Sequence, residues 1–268
     1  MLKDITIGQY FPGDSVIHRM DPRFKIVCTL LLIVTLFAGN SLWTLVIGGV
    51  FVLLVQILSR IPGKLLWKSL RPILPILLFT AVLNLLFVGD DEVLWEWQFI
   101  KLTMGGLQMS VFMIVRIILL IVGSSLLTYT TSPILLTDAI ESLMSPLKGI
   151  KFPVHEMAMM MSIALRFIPT LIEETDKIMS AQKARGATLD SGKVMERIRA
   201  LIPILVPLFV SAFRRAEELA TAMECRCYRG GEGRTRLRQL KAGARDYIGF
   251  AVSFLFMAGA VTVNILSK

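Results

Sequence analysis

With 268 residues, 54% of them hydrophobic, and a mean hydropathy of +0.67, the chain is too apolar for an ordinary water-soluble domain and needs a bilayer for part of its solvent. The 18% of charged residues exceeds what a bundle lying wholly within a membrane would hold, so one substantial part faces water. The net charge of +9 is read as cation-rich loops on one side of a membrane, not as a nucleic-acid surface.

The N-terminal segment 1–23 is polar, holds Pro12, Gly13 and Asp14, and lacks the pattern of a cleavable signal. Two apolar runs follow, at 24–39 and 42–58, turned at Gly39-Asn40-Ser41, which predicts a helical hairpin with Arg23 and Lys25 snorkelling at one end. A third span is expected at 72–88, with Pro72 and Pro75 in its first turns, where a missing amide proton costs least. The fourth, 107–129, carries Arg116, a charge expensive in lipid that must therefore face protein or water. The last span is expected at 246–268.

Loop charges orient these spans. Arg60, Lys64, Lys68 and Arg71 lie between spans two and three, whereas Asp90, Asp91, Glu92 and Glu96 lie between spans three and four. The basic loop is the cytoplasmic one, which places the N-terminus and segment 130–245 in the cytoplasm. Trp95, Trp97 and Phe99 in the acidic segment read first as an interfacial aromatic belt and second as a substrate site.

Within 130–245, Thr130-Thr131-Ser132-Pro133 opens a short helix closed by Pro146. Two long amphipathic helices follow. The first runs from Val154 to Arg185 with Gly186 as its C-terminal cap; the second carries apolar positions at steps of three and four from Val194 to Met223. The fold class is thus an all-α membrane protein of about five transmembrane helices with a cytoplasmic domain of one short and two long helices. Pro169, Pro203 and Pro207 should bend the long helices. Met157, Met159, Met160 and Met161 read either as core packing or as an adaptable docking surface. Glu173-Glu174 precedes Gly186 at the same distance as Glu217-Glu218 precedes Gly230, a spacing that pairs Arg185 with Arg229. The helix macrodipole accounts for one arginine at a helix end, but not for two bracketed by small residues, where a guanidinium is free to enter an acidic groove as a bidentate fork.

Catalytic signatures are missing. There is no H-E-x-x-H or G-x-S-x-G. Gly186 to Gly192-Lys193 has five intervening residues in place of four, and Val194 where a P-loop needs Ser or Thr. The three cysteines, with only His18 and His155 to assist them, give neither a disulfide framework nor a metal site. The chain is therefore read as non-catalytic, and if ATP drives it, another chain binds the nucleotide.

Ile17-His18-Arg19-Met20-Asp21-Pro22-Arg23-Phe24-Lys25, Thr130-Thr131-Ser132-Pro133, Ala164-Leu165-Arg166-Phe167-Ile168-Pro169-Thr170 and the pair Ala184-Arg185-Gly186 and Cys225-Arg226-Cys227 resemble motifs of one family. It is the transmembrane T-component of energy-coupling factor transporters, EcfT, of the CbiQ type. The second x-Arg-x motif departs from the commoner Ala-Arg-Gly by its two cysteines, and the family pattern selects Arg226 where spacing selects Arg229.

The resemblance implies a scaffold in an ABC-type importer of the cell membrane. Its partners would be two ABC-type ATPase subunits, which bind ATP and magnesium, and a small membrane substrate-binding S-component carrying a vitamin or metal ion. Arg185 and Arg226 would seat in the ATPases, and the methionine-rich face would dock the S-component. This chain would hold no cofactor itself. Two other readings are a stand-alone channel or secondary transporter using Arg116, Pro72 and Pro75, and a lipid enzyme using Asp138 and Glu141. The first lacks an internal repeat of spans and the second a compact acidic or histidine cluster. Arg234, Arg236, Arg238, Lys241 and Arg245 should favour anionic membrane lipids under any of these readings.

Overall fold

The computed structural model describes residues 10–87, 93–97, 100–150, 152–187, 194–230 and 240–266. Its helices are α1 (Pro22–Ala38), α2 (Leu42–Ser59), α3 (Gly63–Leu70), α4 (Leu74–Phe87), α5 (Met104–Thr130), α6 (Pro133–Leu143), α7 (Val154–Ala184), α8 (Val194–Cys225) and α9 (Ala244–Leu266). An antiparallel hairpin, β1 (Val93–Trp97) and β2 (Ile100–Thr103), joins α4 to α5. The architecture is that of an all-α membrane protein, with this hairpin as the strand structure among the described residues.

Four helical stretches are long and apolar enough to cross a membrane: Leu42–Ser59, Gly63–Leu86, Met104–Thr130 and Ala244–Leu266. The first expected span, α1, has 17 residues and a rise of about 26 Å. The third starts well before residue 72. Lys64 and Lys68, expected in a loop, lie on α3, and Pro72 produces not a helix start but a 3-10 turn at Arg71–Ile73 leading into α4. A ring without an amide proton breaks one rung of the ladder, and the tighter turn carries the chain past it. The fourth span starts at Met104, capped by the Thr103 hydroxyl, which accepts from Gly106 N–H at 3.2 Å. Trp95 and Trp97 fall on β1, while Asp90, Asp91, Glu92 and Phe99 lie outside the described residues.

The chain divides into two compact units. A bundle comprises 8–139 and 240–268, and an arm contains 140–239, narrower than the expected 130–245 because the boundary falls inside α6. In the bundle, α1 packs on α5 and α9, α2 on α5 and α9, and α4 on α5. Leu32, Leu36, Leu45, Phe51, Val52, Val122, Leu126 and Met257 form its core. Small residues allow the close approach that membrane helices need. A Cβ at Gly123 would stand 2.5 Å from Leu32 Cδ2, and one at Gly48 2.9 Å from Leu36 Cδ2.

The leader ties one end of the bundle together. Phe11 N–H donates to Tyr129 O, and the His18 ring bridges the Ser15 hydroxyl at 2.7 Å and the Phe11 carbonyl at 3.0 Å. Asp246 at the start of α9 accepts from Asp21 N–H at 2.8 Å and Gly243 N–H at 2.7 Å. The Lys25 ammonium, buried, donates to Thr130 O, Thr131 Oγ1 and His18 O. At the other end, Asn264 Oδ1 accepts from Asn40 N–H at 3.0 Å and Ser41 N–H at 3.2 Å. Arg116, expected to face protein, does so: it is buried, donates to the Gly39 carbonyl and to Asn40 Oδ1, and lies 4.5 Å from the Phe112 ring centroid.

Candidate functional site

The arm is built on α7 and α8, which run antiparallel. Glu174 accepts from Arg215 Nη2 at 2.6 Å and Gln182 Nε2 donates to Pro203 O at 3.2 Å. That second bond has a local cause. Pro207 has no N–H to offer the carbonyl four residues earlier, and the glutamine amide from the facing helix supplies the missing donor. All three prolines, Pro169, Pro203 and Pro207, are accommodated inside their helices.

The two helix ends are built alike. At the end of α7, Arg185 N–H donates to Gln182 O, Gly186 N–H to Lys183 O and Ala187 N–H to Gln182 O. At the end of α8, Arg226 N–H donates to Met223 O, Cys227 N–H to Glu224 O and Tyr228 N–H to Met223 O. Each of these three bonds has its counterpart 41 positions later, although Arg185 N–H donates in addition to Ala181 O, and both ends are Schellman closures around a left-handed residue, Gly186 at φ +86° and Cys227 at φ +56°. Arg185 and Arg226 therefore occupy equivalent positions, each following the last helical residue, Ala184 or Cys225. The spacing that paired Arg185 with Arg229 is corrected: Gly230 is left-handed too, at φ +88°, but it stands three residues past the closure. Arg185, Arg226 and Arg229 are all exposed, and none of the three makes a side-chain hydrogen bond or ion pair among the described residues.

The ion pair sets the distances. Glu174 stands eleven residues before Arg185, and Arg215 eleven residues before Arg226. At 1.5 Å per residue each arginine lies about 16 Å from the ion pair along its own helix, in opposite directions, so the two are separated by about 33 Å along the pair. Two guanidinium groups so far apart cannot serve one small ligand. They can engage two separate macromolecular grooves.

The methionines divide. Met157, Met160 and Met161 are exposed on one face of α7, whereas Met159 is half-buried and Ala158 buried. On α8 an apolar surface is also uncovered, with Ile202, Val206, Phe209, Val210 and Phe213 each more than half exposed. A contiguous apolar surface of this kind marks a contact with another protein or with lipid. Sequence reasoning missed this face of α8, although its residues were visible as the apolar positions of an amphipathic helix, and it missed the Glu174–Arg215 pair, for which no local signal exists. Among the described residues no group of three or more histidine, cysteine or acidic side chains comes together to hold a metal. Cys225 and Cys227 are exposed and free.

Comparison with known proteins places these features in context. Residues 13–237 match the family model CbiQ, described as "Cobalt transport protein". The chain is 51% identical over 264 residues, 98% of each chain, to the energy-coupling factor transporter transmembrane protein EcfT of Ruminiclostridium cellulolyticum. It is 52% identical over 269 residues to that of Clostridium kluyveri, covering 100% of this chain and 98% of the other. With that of Bacillus subtilis it shares 50% over 246 residues, 92% of this chain and 93% of the other.

Proposed function

The chain belongs to the CbiQ family and is a transmembrane component of an energy-coupling factor transporter, and from that premise we propose that it converts the motion of two ATPase subunits into movement of a substrate-binding membrane subunit. The observation that carries this reading is the equivalence of the α7 and α8 ends. Two exposed arginines without side-chain partners among the described residues, on closures of the same type about 33 Å apart, suit one acidic groove on each of two ATPase subunits. Nucleotide-driven closing of those subunits would pull the two ends together and change how α7 lies on α8. ATP and its magnesium belong to the partners on this reading, since the glycine-lysine stretch after α7 has neither the spacing nor the hydroxyl of a phosphate loop.

The substrate-binding subunit would sit on Met157, Met160 and Met161 of α7, and the exposed Phe209 and Phe213 of α8, about 20 Å or more farther along the helix pair by the register of the Glu174–Arg215 contact, would form a second apolar contact. Unbranched, polarisable methionines repack against different surfaces, which suits a partner that moves. Met159 is half-buried and would support this face from behind. Cargo of the vitamin or metal-ion class would be chosen by that partner. The basic residues Arg60, Lys64, Lys68 and Arg71, against the acidic stretch before β1, favour a cell-membrane protein with its N-terminus and arm in the cytoplasm.

The test is co-purification with the ATPase subunits. Arg185→Glu combined with Arg226→Glu should abolish their association and transport while the protein still inserts in the membrane, and Arg229→Glu should leave both near the wild-type level. Recovery of the ATPases with the double variant at wild-type yield would refute the two-arginine account.

A further inference from the structure

The bundle contains a cavity of about 380 Å³ bounded by the leader and by α1, α2, α5 and α9. Its walls are almost entirely apolar, with Leu32, Val55, Leu126, Val252 and Phe256 among them. The volume lies within the roughly 300–1,000 Å³ of sites that take small ligands, and an apolar lining of this kind does not retain water.

Lys25 and Arg245 stand among the lining residues, and they differ in one respect. The Lys25 ammonium has all three of its protons placed on protein oxygens. Arg245 is exposed and makes no hydrogen bond or ion pair among the described residues. It is the second residue of α9, where the macrodipole disfavours a cation, so the helix itself gains nothing from it. The neighbouring Asp246 is buried with both oxygens accepting from backbone amides, and it does not pair with Arg245. Lys241, four residues earlier, is likewise exposed and without a partner among the described residues. Because α9 spans 23 residues, about 35 Å, its first turn stands at the boundary between the bilayer and water.

We propose that this cavity is a site for an anionic phospholipid, with an acyl chain between α1, α2, α5 and α9 and the phosphate held by Arg245 beside Lys241. An apolar slot whose lining includes, at the membrane boundary, an exposed arginine unpaired among the described residues fits the two halves of such a molecule. The occupied slot would hold the leader and α9 against α1 as a structural lipid, whatever the arm engages.

The test is native mass spectrometry of the full-length protein extracted from vesicles of equal phosphatidylglycerol and phosphatidylcholine content. The wild type should retain one phospholipid, phosphatidylglycerol over phosphatidylcholine by about fivefold, the preference expected of one interfacial arginine. Arg245→Gln should lower the phosphatidylglycerol preference, and Arg245→Gln combined with Lys241→Gln should retain the two lipids equally. Val252→Trp, which fills the slot, should retain neither, with wild-type circular dichroism and elution volume as the check on folding. Leu54→Trp fills the slot from α2 and serves if the first variant misfolds. Undiminished retention in a folded slot-filling variant, or an unchanged phosphatidylglycerol preference in Arg245→Gln, would overturn the proposal.

Discussion

Glu174 of α7 and Arg215 of α8 form a 2.6 Å ion pair that stands the same eleven residues from the arginine at the end of each helix. The arm is thus a pair of equal levers joined near a charged contact. Its terminal arginines sit on Schellman closures of the same type, at equal distances from one joint.

That joint should respond to acid. The hydrogen bond from Arg215 holds the Glu174 carboxyl below its ordinary value, against partial desolvation, with help from the Arg215 charge, Ser211 and Lys177. A carboxyl lowered by folding stabilises the fold above its unfolded value of about 4.3, and that contribution is lost as pH falls through the lower folded value. Spin labels at Ser180 and Val210 should therefore report a constant distance distribution from pH 8 to 5 and a broader one below about 4. In Glu174→Gln the distribution should already be broadened at neutral pH, with this component of the acid dependence gone. An acid response identical in the wild type and Glu174→Gln would remove the pair from the joint.

Cys227 occupies a backbone conformation that Gly186 takes without strain. A left-handed residue with a Cβ costs roughly 1–2 kcal/mol, part of which glycine gives back through the greater freedom of its unfolded chain. Cys227→Gly should raise stability by up to about 1 kcal/mol, whereas Gly186→Ala should lower it by about 1 kcal/mol or more and Cys227→Ile by a larger amount. Thermal unfolding of the detergent-solubilised protein measures all three. A loss of stability in Cys227→Gly would mean that the cysteine side chain itself is needed.

Arg116 and Asn264 grip the same turn from two helices. Arg116→Met leaves the Gly39 carbonyl and Asn40 Oδ1 without this donor, and Asn264→Leu leaves the Asn40 and Ser41 amides without their acceptor. Each should cost about 1–3 kcal/mol, and the double variant should be non-additive by roughly 0.5–3 kcal/mol because the sites share the turn. Thermal unfolding again reads the effect. Full stability of Arg116→Met together with lost transport would instead assign the arginine to a conduction path.

Most of the helices could be read from the sequence because their signals are local. Apolar runs marked the membrane helices, Ser132-Pro133 the start of α6, and Gly186 the end of α7. The errors arose where local rules compete. Pro72 looked like a helix start because that is where proline costs least, but the chain passes it in a 3-10 turn, and the lysines ahead of it therefore lie on a helix and not in a loop. At the candidate site, a count from paired glutamates to the next glycine pointed to Arg229, since no composition rule predicts a cysteine in the left-handed position. The hydrogen bonds between Asp21 and Asp246 and between Asn40 and Asn264 join residues more than 220 positions apart, and no window along the chain could contain them.

The short first helix has a further consequence. Its rise of about 26 Å falls short of a hydrocarbon layer of about 30 Å, so if α1 crosses that layer from one face, the bend into α2 ends below the other face unless the lipid thins around it. A bare bend could not remain at that depth, because peptide groups without partners are excluded from oil. This one can stay submerged, since a guanidinium from one neighbour and a carboxamide from another take the place of water around it.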